Sequence, residues 1–159
     1  MVTLPRTPQF PVRTGGARKD EVRTQFAALC YRVRKGATEV LLITSRDTGR
    51  WVLPKGWPMD GVTPADAAAR EAWEEAGVTG QVRHAVAGLY SYNKAMESDD
   101  DLPCIVAIFP LQVRKLARDF PERGLRKRKW FSPRKAAGKV REPELQEILS
   151  RFDASRLGK

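Results

Sequence analysis

Glu71, Glu74 and Glu75 stand at i, i+3 and i+4 within the stretch GWPMDGVTPADAAAREAWEEAGV. At about 100° per residue this spacing places three carboxylates on one face of a helix. Like charges that close repel unless a cation lies between them. Carboxylates without clustered cysteine or histidine suit a hard divalent ion, Mg²⁺ or Mn²⁺, which takes a few protein oxygens and completes its shell with water and phosphate. Such an ion neutralises charge on a diphosphate, lowers the pKa of bound water and orients it for in-line attack at phosphorus. An isolated E-x-x-E-E is more often a solvated helix face, so its surroundings decide.

Those surroundings predict a helix with defined ends. Thr63 is a good N-cap, Pro64 suits the first helical position, and Asp66 completes a T-x-x-D start that matches the helix dipole. Six alanines favour the helix, and Gly77 supplies the left-handed residue that closes it. Ala65, Ala69, Ala72, Trp73 and Ala76 form the face expected to pack against a sheet, with Trp73 as anchor.

The full segment reads G-x13-R-E-x2-E-E-x-G, and six specified positions at about a twentieth each make a chance match remote. It resembles the Nudix box, G-x5-E-x7-R-E-U-x-E-E-x-G-U with U aliphatic. Gly56, Arg70, Glu71, Glu74, Glu75, Gly77 and Val78 match, and Ala72 is a small occupant of the first U. Val62 departs from the pattern, which asks for a glutamate there. The resemblance implies Glu71, Glu74 and Glu75 as metal ligands, with the Gly56 carbonyl as a further candidate. It also gives Arg70, four residues before Glu74, an orienting role. A general base is sought in the acidic loop of residues 95–101, where Glu97 is the candidate.

At 159 residues and 42% apolar content the chain is long enough for one sizeable core and short for two domains. A single domain is expected over residues 23–159, preceded by an arm over residues 1–22 that is rich in Pro, Gly and Arg. No apolar run reaches membrane-spanning length and the N-terminus lacks a signal-peptide core, so a soluble cytoplasmic protein is expected. Cys30 and Cys104 lie in apolar runs and read as buried thiols. The one histidine, His84, argues against a zinc site or a Ser-His-Asp triad and reads as an exposed strand residue.

Strands are predicted over 24–33, 40–44, 51–54, 82–92, 104–113 and 127–131, and helices follow Ser132 and span 143–152. This order suggests a mixed β-sheet covered by helices on both faces, in agreement with the α/β/α sandwich (α/β, or α+β, in class) that the Nudix resemblance implies.

Charge is concentrated rather than diffuse. Residues 114–141 hold 12 Lys or Arg against 2 Asp or Glu, a net +10 that equals the charge of the whole chain. Such a patch attracts highly phosphorylated ligands or nucleic acid. The runs EVLLITSR, RWVLP and GLRKRKWF are similar to the diphosphoinositol polyphosphate phosphohydrolase branch of Nudix enzymes. That likeness makes Arg23, Ser45, Arg46, Lys55, Arg126 and Arg128 candidate substrate contacts. Pro54-Lys55-Gly56 is closer to diadenosine polyphosphate hydrolases, and Trp57 could stack on a base or pack under its loop.

The leading expectation is a pyrophosphohydrolase acting on a linear phosphoanhydride, with a diphosphoinositol polyphosphate or dinucleoside polyphosphate as substrate. A nucleoside triphosphate or ADP-ribose substrate is an alternative. So is an RNA-binding module on the same fold, less favoured because aromatic residues are sparse among the cations. The oligomeric state is open.

Overall fold

The computed structural model describes residues 23–94 and 102–158. At the centre lies β1 (Thr24–Arg34), whose residues 25–31 are all buried because both faces of the sheet are covered there. It runs parallel to β7 (Leu102–Leu116) and antiparallel to β2 (Ala37–Thr44). The β1–β2 turn is tight, with Lys35 at φ 51° and Gly36 at φ 78°, the positive pair that a two-residue hairpin of matching twist requires.

β2 carries two short partners, β3 (Trp51–Val52) and β8 (Arg128–Phe131). β4 (Lys55–Gly56) pairs with β1 opposite Phe26 and Ala27, while β5 (Val78–Val82) and β6 (Gly88–Lys94) both pair with β7. The sheet is therefore mixed, as the strand order suggested.

Strand alternation divides the core into two layers. Phe26, Ala28, Cys30, Leu41 and Ile43 face α1 (Pro64–Ala76). Ala27, Leu29, Val40 and Leu42 face the other way, toward α2 (Pro133–Lys139) and α3 (Pro143–Arg151). Helices thus cover both faces, giving an α/β/α sandwich. Among the described residues no helix is long and apolar enough to cross a membrane.

Two expectations about elements change. The strand predicted over 82–92 is broken at residues 83–87, and His84 lies in the bend, 4.0 Å from Asp66. Pro110 explains the break. Its carbonyl accepts from Arg83 N–H on this side of β7, where proline has no N–H to return, so the ladder cannot continue unbroken. Trp73 is not the anchor of α1 either. It is 37% exposed, and Ala65, Ala67, Ala68, Ala72 and Ala76 make the buried face.

Candidate active site

The end signals of α1 operate as read. Thr63 Oγ1 accepts from Asp66 N–H at 3.2 Å, Pro64 opens the helix, and Gly77 closes it at φ 67° with its N–H bonded to Ala72 and Trp73 carbonyls. The alanine face lets the helix settle close to the sheet, and this carries Glu75 inward with it, leaving it 8% exposed.

Glu75 is held from two sides. Its Oε1 accepts the Lys55 amide at 3.2 Å, and its Oε2 lies 3.4 Å from Arg126 Nη2. Burial pushes its carboxyl up to about 7, while the Arg126 and Lys55 charges and the Lys55 amide bond pull it back. On the neighbouring turn of the helix, Glu71 presses against β4 so closely that a Cβ on Gly56 would overlap its carboxyl group. Any larger residue at 56 would push the Glu71 carboxyl out of this position. Glu71 and Glu75 therefore meet the main chain of residues 55–56, while Glu74 is half-buried beside them and its carbonyl accepts Glu122 N–H at 3.0 Å.

Among the described residues no three acidic, histidine or cysteine side chains gather tightly enough to enclose an ion by themselves. Two carboxylates against a glycine main chain still fit a hard cation that keeps water and phosphate in its shell, because every donor is oxygen. Glu71, Glu75 and Gly56 are the residues that would hold it, with Glu74 adjacent.

The other predicted residues separate into groups. Arg126 belongs to the site: besides Glu75, it donates to Glu122 and to the Thr44 carbonyl at 3.2 Å, and its side chain is only 13% exposed. Arg128, expected to grip substrate, instead donates to the carbonyls of Ala76 at 2.6 Å and Ala117 at 2.8 Å and lies over the Phe120 ring. One nitrogen of its guanidinium closes the C-terminus of α1, where a cation meets the negative end of the dipole, and the other ties in the residue that follows β7. Ser45 likewise organises its own turn, accepting from Thr48 and Arg50 amides.

Arg46 is exposed and within 3.9 Å of Glu122. The Lys55 ammonium lies 5.1 Å from the Tyr92 ring centroid, and Arg23 is exposed at the start of β1. Arg70 does not pair with Glu74 among the described residues; it is exposed and lines a cleft on another side of α1. Cation before anion at i, i+4 is the weaker order on a helix. Glu97 lies outside the described residues. Glu122 was not anticipated, although one of two acids in so basic a region is itself a signal.

Comparison with known proteins gives the family and the fold. The NUDIX domain family matches residues 23–152, and the chain belongs to that family. Over 117 residues it is 35% identical to Nudix hydrolase 12, mitochondrial, of Arabidopsis thaliana, covering 72% of this chain and 58% of that protein. Diphosphoinositol polyphosphate phosphohydrolase 3-alpha of Mus musculus is 32% identical over 111 residues, covering 69% and 63% respectively. The chain thus spans about three-fifths of the length of these relatives. In fold it is similar to a C. elegans Ap4A hydrolase, with a TM-score of 0.62, 22% identity and coverage of 84% of this chain and 97% of that one.

Proposed function

We propose that the chain is a metal-dependent Nudix pyrophosphohydrolase that cleaves a linear phosphoanhydride by water attack. The observation that carries this reading is the convergence of Glu71 and buried Glu75 on the Gly56 main chain, inside the box that the sequence spells out. A Mg²⁺ or Mn²⁺ ion bound there would supply Lewis-acid charge and activated water. The chain's own groups set the stage. Arg126 balances Glu75, the Lys55 amide fixes its orientation, and Arg128 holds the helix end that carries all three glutamates.

For substrate we favour diphosphoinositol polyphosphates or dinucleoside polyphosphates. Similarity to the mouse diphosphoinositol polyphosphate phosphohydrolase supports the first, and the Pro-Lys-Gly turn supports the second. Arg23, Arg46 and Lys55 are the exposed or half-exposed cations placed to meet phosphate, and Glu97 is retained as the general base to test. Cytoplasmic residence rests on the sequence reading alone, and relatives include a protein named as mitochondrial.

The decisive experiment is Mg²⁺- or Mn²⁺-dependent hydrolysis of diadenosine polyphosphates, nucleoside triphosphates, ADP-ribose and inositol pyrophosphates. Glu75→Gln is expected to lower turnover of the accepted substrate at least about a hundredfold, roughly 3 kcal/mol of transition-state stabilisation. Unchanged turnover would remove Glu75 from the chemistry. A second reading, RNA binding, is motivated by Lys127 and Lys129, exposed cations with no ion pair among the described residues. Salt-sensitive RNA binding without hydrolysis of any phosphoanhydride would favour it.

A further inference from the structure

A cleft of about 620 Å³ lies on the outward side of α1, between the helix and β5, and none of the three glutamates lines it. Its wall includes Val62, Asp66, Arg70 and Trp73, the last three stacked at i, i+4 and i+7 on one helix face. Across from them are Thr79 and Gly80, where the ladder to β7 shifts register. A volume of this size suits a small organic ligand.

Arg70 is exposed in this wall and makes no ion pair among the described residues. Neither acid one turn away satisfies it. Asp66 sits 4.0 Å from His84 Nε2, and Glu74, though i+4 from Arg70 on the helix, is half-buried and does not line the cleft. The box pattern asks for a glutamate at 62, and Val62 shares this wall with Arg70. A glutamate there would share the wall with the guanidinium; with valine the carboxylate lining the cleft is that of Asp66, which makes no ion pair with Arg70 among the described residues. Beside it Trp73 presents a partly exposed indole.

We infer that this cleft is a second binding site, separate from the hydrolytic one, for a small anion carrying an aromatic ring, of the nucleoside monophosphate class. The ring stacks on Trp73, and the phosphate meets the planar fork of Arg70, which pairs bidentately with such groups. The site does not depend on metal, since no ligand of the hydrolytic centre contributes to it.

The test uses AMP as probe, with EDTA present, on the ¹⁵N-labelled chain, whose four tryptophans give four indole N–H resonances. Saturable movement of the Trp73 indole and the Arg70 Nε–H, with Trp51, Trp57 and Trp130 unmoved, is the expected result. Val62→Glu, which adds a second carboxylate to the wall that holds Arg70, is expected to weaken AMP at least tenfold while the remaining spectrum is kept. Absence of saturable shifts, movement centred on Trp57, or unchanged affinity in Val62→Glu would overturn the inference. Should Val62→Glu fail to fold, calorimetry on Trp73→Ala decides: affinity equal to that of the unsubstituted chain rejects the site, and at least a tenfold loss supports it.

Discussion

Arg126 and Arg128 alternate with Lys127 and Lys129 along the run that leads into β8 and begins it, yet the two pairs do different work. The two arginines turn toward α1 and are consumed by the fold: one meets buried Glu75, the other the carbonyls of Ala76 at the helix end and of Ala117 after β7. The lysines face outward and stay in solvent, with Lys129 lying 5.5 Å from the Phe131 ring. Charge density alone therefore says little about what a basic run binds. Alternation along the strand decides which cations remain available.

The contrast can be broken most directly at Arg126. Arg126→Ala leaves Glu75 buried without its cation, and a loss of about 3 kcal/mol in urea unfolding is expected. If Lys129→Ala costs as much, the division between the two faces is wrong. A subtler test uses pH. A carboxyl pushed up to about 7 favours the folded state when protonated. In metal-free protein this stabilisation is complete below the ordinary carboxylate range, declines as pH rises toward 7, and is gone above it. The melting temperature should fall over that interval by the equivalent of about 3 kcal/mol, and Glu75→Gln should flatten the profile.

Arg128→Ala sharpens the comparison further, since it strips a donor from two carbonyls and should cost about 1–2 kcal/mol of stability with little change in KM. A large rise in KM at unaltered stability would restore Arg128 as a substrate contact. The smallest effect belongs to Lys129→Ala, which should leave stability within about 0.5 kcal/mol. Its influence should show instead in the salt dependence of polyphosphate affinity, measured between low and physiological ionic strength.

The helix and its caps were legible because their signals are local: Thr63, Pro64, Asp66 and Gly77 act on main chain within a turn of themselves. Requirements that arise across the sheet were not. Pro110 interrupts a strand eighteen or more residues away in sequence, and nothing near 83–87 announces it. Trp73 looked like an anchor because a large apolar residue on a small-residue face usually is one. Alanines at 65, 67, 68, 72 and 76 complete the buried face without it.

By itself the sequence determined the family, the carboxylate helix and the concentration of positive charge, all of which depend on residue type and on spacing within a turn or a strand. Only the tertiary structure decided that Glu75 is the buried carboxylate, that the Glu71 carboxyl packs against Gly56, and that Arg128 serves the helix rather than the ligand. Those assignments depend on which groups the sheet brings within about 3 Å of each other. Burial and partner choice are properties of that packing, and spacing along the chain does not contain them.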